Sequence, residues 1–244
     1  MLLLSCSLAS ISPAWAKDKK GTDSWAILER EGKTLAVVHE KAVRDPKEKS
    51  FTLTQTWTNR GKVPGSIEVE AVALDDATLE PSWLHVRYRS ADGSESYTYR
   101  LALRMNGRFK DLEVTFERLK PKSEKAVKTV PKPSDAIFFS MLPRYVARLK
   151  PGFYVATGIM EDTREARLVT RPLRIQKIDE KKKIGGNECE KALVDAGGDS
   201  GYLWVTSEGV LCDFEMQGVV HWKFAKESEA KAAKDSASSG IKKK

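Results

Sequence analysis

The sequence predicts a mainly β fold: a curved antiparallel meander sheet, half-barrel or open barrel, with one short kinked helix packed on it. Three observations predict it. Apolar and polar side chains alternate over run after run, which marks antiparallel strands with one face buried and one wet. Glycine, asparagine, aspartate and proline fall between the runs, where tight reversals need them. One stretch, residues 134–149, spaces its apolar side chains as a helix does.

The elements follow in chain order. Residues 1–16 are an apolar run from Met1-Leu2-Leu3-Leu4 to Pro13-Ala14-Trp15-Ala16, and Lys17-Asp18-Lys19-Lys20 comes at once after it. Ala14-x-Ala16 is the small-x-small pattern that a signal peptidase accepts, so residues 1–16 are expected to be a signal peptide, although no Lys or Arg precedes the apolar run. Leu3-Leu4-Ser5-Cys6 is the alternative, a lipoprotein-type box in which Cys6 carries a lipid anchor if the true start lies upstream.

Phe51-Thr-Leu-Thr-Gln-Thr-Trp57-Thr sets threonines against Phe51, Leu53 and Trp57. Residues 66–71, 83–89, 97–104 and 112–117 alternate in the same way, and Asn106-Gly107 sits directly between the last two. Residues 120–133 read as a basic, proline-bearing exposed loop. Ser134-Asp135 can cap a helix over 134–149 with Ile137, Phe138, Met141, Leu142, Tyr145, Val146 and Leu149 on one face, and Pro143 should kink it. Strands resume over 153–160, 166–177, 189–194, 202–206, 210–216 and 219–224. Residues 226–244 turn to Ala, Lys, Ser and Glu, hold nothing to bury, and are expected to be a disordered tail. Residues 17–225 therefore make one β-rich domain.

Composition narrows the partners. No segment after the first 16 residues approaches the roughly 20 apolar residues that span a bilayer, so no transmembrane segment is expected. The net charge of +8 is spread along the chain and mixed with acids, which favours weak contact with anionic surfaces over nucleic-acid reading. Cleavage after Ala16 leaves Cys189 and Cys212, an even pair in an oxidising compartment. On next-but-one strands their backbones would stand about 9–10 Å apart. A disulfide needs Cα atoms within about 7 Å. A bulge or curvature would have to close that gap, and the sequence leaves both states open.

A resemblance rests on short motifs. Leu74-Asp75-Asp76-Ala77-Thr78-Leu79-Glu80-Pro81 looks like the D-x-x-T-L-x-P step of a family of secreted bacterial proteins of unknown function. A charged strand pair over 96–116, a short helix, the Leu149-Lys150-Pro151-Gly152 turn and a Leu203-Trp204-Val205-x-x-x-Gly209 hairpin follow in that family's order, over roughly residues 25–225. The family is distantly similar to the half-barrels of periplasmic lipoprotein carriers, which enclose an apolar cavity. The resemblance implies that fold and permits that function. The long basic connector and the two cysteines depart from the family's pattern.

Catalytic motifs are weak. Gly198-Asp199-Ser200-Gly201 resembles a serine-protease nucleophile loop, with His39 and Asp75 or Asp76 before it, but a glycine-rich β-turn explains the same residues. The three histidines, His39, His85 and His221, have no metal-ligand spacing, and His85 and His221 fall opposite the core. No nucleotide or metalloprotease motif is present, so no catalytic residue, metal or cofactor is assigned. The leading expectation is a non-enzymatic periplasmic or envelope protein that binds a lipid, another apolar ligand or a partner's apolar segment in the curved sheet. Its candidate contacts are Trp57, Tyr97, Tyr99, Leu101, Leu103, Phe116, Phe138 and Met141. The rivals are a structural or assembly factor acting through its basic surface, and an unrecognised hydrolase.

Overall fold

Residues 21–59, 64–160, 165–216 and 220–236 are described by a computed structural model of the chain. The signal-cleavage residues Ala14 and Ala16, the alternative anchor Cys6, and residues 237–244 lie outside them.

Period-two alternation becomes a succession of neighbouring strands. The first eight are β1 (Gly21–Arg30), β2 (Lys33–Asp45), β3 (Ser50–Asn59), β4 (Gly65–Leu74), β5 (Pro81–Ser90), β6 (Ser96–Asn106), β7 (Phe109–Lys120) and β8 (Glu124–Pro131). After them come β9 (Ala136–Phe138), a 3-10 turn (Phe139–Met141), α1 (Leu142–Arg148), β10 (Gly152–Ile159), β11 (Thr170–Ile184), β12 (Asn187–Ala196), β13 (Asp199–Val205), β14 (Leu211–Met216), β15 (Val220–Ala225) and α2 (Glu227–Ser236). The strands form one open sheet in the order β8-β7-β6-β5-β4-β3-β2-β1-β15-β14-β13-β12-β11-β10-β9. All pairs are antiparallel except the short β9–β10 pair.

The sheet curls over its own interior. Tyr99 on β6 donates from its hydroxyl to the Arg167 carbonyl just before β11, ten places away in the strand order (3.1 Å). Trp57 on β3 and Trp222 on β15 meet edge to face at 4.9 Å. Phe138, Met141 and Ile159, from one end of the sheet, share a core with Leu53, Leu84, Tyr99, Leu101 and Leu112 from the other half. A flat sheet would leave these groups far apart. A second cluster joins Leu142 and Val146 of α1 to Leu173, Ile175, Val194, Leu203 and Phe214.

Three local expectations are corrected. Within residues 120–133, β8 is a strand paired with β7 along its length, not a loop. Its exposed Lys125 and Lys128 and terminal Pro131 suit a free sheet edge, which charge and proline keep from pairing further. The helix expected over 134–149 is shorter: Pro143 sits in its first turn, where a missing N–H costs nothing, so it starts α1 rather than kinking it. The tail expected over 226–244 is helical over Glu227–Ser236. The Lys226 N–H donates to the Glu229 carboxylate (3.1 Å), and Ala230 is fully buried against Ile27, Val37 and Ala225. With α2 on one face and the core on the other, β2 buries Ala36, Val37 and Val38 in a row, and alternation is lost there for that reason.

Cys189 and Cys212 are joined in the structure, with Cα atoms 6.5 Å apart. The β13–β14 register shifts between Trp204 and Val205, so Cys212 is the extra residue of a bulge and swings toward β12. The bond packs with Trp204 in a small cluster apart from the two main cores.

Candidate functional site

Helix α1 divides its faces between two tasks. Leu142 and Val146 enter the core of β10–β14, while Arg144 and Arg148, one turn apart, face the ends of β1 to β4. Arg144 is only 2 % exposed. Its Nη2 donates to Glu40 Oε1 (2.6 Å) and Thr22 Oγ1 (3.0 Å), and its Nη1 donates to the Glu208 carbonyl (2.9 Å). Glu40 is fixed in turn by the Gln55 amide (2.8 Å), and Gln55 accepts from the Trp57 indole N–H (3.1 Å). A buried charge needs such a network, because an unpaired ion in this interior would cost several kcal/mol.

Gly209 lets α1 approach. Its φ is +77°, and a Cβ there would stand 2.7 Å from the Arg144 Cα. The glycine of the Leu203-Trp204-Val205-x-x-x-Gly209 segment is thus where the β13–β14 turn meets the helix.

The D-x-x-T-L-x-P step lies on the opposite side of the same space. Asp76 Oδ1 accepts from the Thr78 N–H (2.8 Å), the Thr78 hydroxyl (2.7 Å) and the Leu79 N–H (2.9 Å), which folds the loop over the buried Leu79. Asp75, with a side chain 3 % exposed, is held by Arg44 and by Arg148 (2.8 Å). Burial alone would push the Asp75 carboxyl up. Hydrogen bonds from Arg44 and Arg148 outweigh that and hold it below the usual carboxylate range. Arg148 also donates to the Asp76 carbonyl. The guanidinium carbons of Arg144 and Arg148 stand 5.9 and 5.8 Å from the centre of the Phe51 ring.

These groups line an open cavity of about 830 Å³ at one end of the curved sheet. Ala42, Phe51 and Ala147 give it an apolar lining, and Arg44, Arg144, Arg148, Asp75, Asp76 and Glu208 give it charge. The eight residues named as ligand contacts from the sequence do not line it. Tyr97, Tyr99, Leu101, Phe116, Phe138 and Met141 are buried in one core, and Trp57 and Leu103 pack against it half-buried. Phe138 and Met141, delivered by β9 and the 3-10 turn, fill the hollow that the alternating strands create.

The serine-protease-like constellation does not assemble. His39 Nε2 pairs with Asp23 (2.7 Å) and its ring stacks on Trp25 (4.0 Å). Ser200 lies at the start of β13, four places from β2 in the strand order. Gly198 has a φ of +103° in the β12–β13 turn, and a Cβ on Gly201 would strike the Glu215 carbonyl of β14, so both glycines answer to backbone geometry. His221 pairs with Asp213 (2.6 Å). His85 is half-buried rather than solvated, and burial lowers its pKa.

The residues that sequence reading missed are Arg44, Arg144, Arg148, Glu40 and Gln55. Two signals pointed to them. Gln55 occupies a core-facing step between Leu53 and Trp57, and Arg144 and Arg148 stand four apart in a helix that is otherwise apolar.

No protein-family model and no curated protein sequence matches the chain. Among solved structures it is similar to a β-barrel-like protein of a domain of unknown function, DUF1849, from Brucella abortus. The two share 9% identity over 84% of this chain and 95% of that one, with a TM-score of 0.47. Among the described residues no helix is long and apolar enough to cross a membrane.

Proposed function

We propose that this is an exported, non-catalytic binding module of the bacterial cell envelope, and that its ligand is an amphiphile with an acidic end. The apolar part lies over Ala42, Phe51 and Ala147, and the acidic end exchanges for the Asp75 carboxylate that now engages Arg44 and Arg148. The observation that carries the reading is the cavity of about 830 Å³, in which an aromatic floor and three guanidinium groups converge beside a bridging helix. Concave sites of this size, where polar and charged groups converge beside an apolar surface, are a common form of small-ligand site. Export is supported by the Ala14-x-Ala16 segment and by the Cys189–Cys212 bond, since disulfides persist in oxidising compartments. A non-catalytic role is supported by the state of the reactive groups: Asp75, His39 and His221 are each engaged by a structural partner.

Titration with cis-parinaric acid, a fluorescent fatty acid, tests the reading. Saturable binding at one site per chain is expected, weakened at least about tenfold by Ala147→Phe, which loses contact to steric filling worth more than about 1.4 kcal/mol. Binding that ignores Ala147→Phe in a folded variant contradicts the cavity as the site.

A further inference from the structure

The β6–β7 hairpin carries a separate feature. The β5–β6 pairing ends at Trp83 opposite Ala102, and residues 103–106 run on beyond it. At the tip, Met105 is 65 % and Phe109 74 % exposed. Met105 stands opposite Lys110 and Asn106 opposite Phe109, so consecutive pairs put Met105 and Phe109 on opposite faces of the ribbon. Leu74, also exposed, is a neighbour: its N–H donates to the Glu80 carbonyl, and the Glu80 carboxylate binds Lys110 Nζ (2.7 Å).

Beside the tip is a groove of about 550 Å³ lined in part by Asn106, Arg108, Phe109, Lys110, Asp111 and Lys132. Three cations meet one carboxylate in that lining. Lys110 and Lys132 share Glu80 just outside it, and Arg104 pairs with Glu113. Among the described residues Arg108, in the turn itself, makes no ion pair.

We infer that the β6–β7 tip is a membrane-docking element that enters the surface of an anionic phospholipid bilayer. Exposure on both faces of a narrow ribbon fits end-on penetration of a fluid apolar layer. A protein partner with a flat surface would bury one face and leave the other wet. The cations beside and between the two apolar side chains lie where lipid phosphates would lie, and basic residues near such a surface each add about a fivefold gain in affinity. The overall charge of +8 has the matching sign. The β4–β5 loop that carries Asp75 and Asp76 also carries Glu80, so the docked end is the end at which the cavity opens. The inference stands whether or not the cavity holds a ligand.

Co-sedimentation of the full chain with vesicles tests it. Vesicles of one part phosphatidylglycerol to three of phosphatidylcholine are expected to bind the protein at low salt, and pure phosphatidylcholine to bind it at least about fivefold more weakly. The double variant Met105→Ser with Phe109→Ser should lose at least about tenfold in binding, since it removes two large apolar groups from the contact. Arg108→Glu should lose about fivefold or more. Both changes lie at an exposed tip, and thermal melting should show them folded. Ala147→Phe should leave vesicle binding unchanged, which separates this surface from the cavity. The inference is overturned if the double variant binds as the parent does, if pure phosphatidylcholine binds equally well, or if sedimentation velocity shows that the tip instead joins two copies of the chain.

Discussion

Arg144 is enclosed by Glu40, Thr22 and the Glu208 carbonyl, and each of these comes from a different part of the chain. Removing the guanidinium leaves Glu40 charged in a nearly closed site. Arg144→Met is therefore expected to cost about 3–5 kcal/mol in denaturant unfolding. Adding Glu40→Gln to it should restore much of that loss, because the stranded charge is then gone. If the two changes simply add, the ion pair is not what holds α1. Asp75 gives a pH test. Its folded pKa lies below the unfolded carboxylate value of about 3.9, so its stabilising effect is complete above that value and is lost as pH falls through the depressed folded pKa. Between pH 6 and pH 3 the parent protein should lose more thermal stability than Asp75→Asn, which has no such charge to lose. Equal losses would mean that Arg44 and Arg148 do not stabilise the ionised form.

At the scale of elements, the close approach of α1 to the β13–β14 turn depends on Gly209. Gly209→Ala must place a Cβ against the Arg144 backbone at a positive φ, and a loss of about 1–3 kcal/mol is expected. The same variant should weaken cis-parinaric acid binding, since it displaces the helix that walls the cavity. Unchanged stability and binding would show that the turn yields without moving α1. The disulfide spans 23 residues, and replacing both Cys189 and Cys212 by serine should lower unfolding stability by about 3 kcal/mol through a freer unfolded chain. The elements legible in the sequence were those with one wet face. Phe51, Leu53, Tyr97, Tyr99, Leu112 and Val114 alternate with polar neighbours and are buried as that pattern implies. β2 was illegible because α2 covers its other face. β8 was illegible because its lysines and Pro131 mark a sheet edge with the same chemistry that marks a loop.

For the whole molecule, alternation specified an open curved sheet but not what lies inside it. The large residues on the inner strand faces suit a hollow carrier and a filled core equally well. The choice between them depends on where β9 and the 3-10 turn go, a matter of tertiary packing that no period records. With Phe138 and Met141 seated against Tyr99 and Leu101, the space that remains is at the end of the sheet, beside Arg44, Arg144 and Arg148. The cavity was hidden from the sequence because its charged residues come from β2, the β4–β5 loop, α1 and the β13–β14 turn, and only Asp75 with Asp76 and Arg144 with Arg148 lie near each other in the chain.

The most direct test is to crosslink a fatty acid that bears a photoreactive diazirine near its carboxylate to the full chain, and to map the modified peptides by mass spectrometry. Labelling is expected at residues 42–51 and 144–148, and should be lost on competition with unlabelled fatty acid. Specific labelling at residues 97–116 instead, along the inner faces of β6 and β7, would contradict a filled interior and a site at the sheet's end.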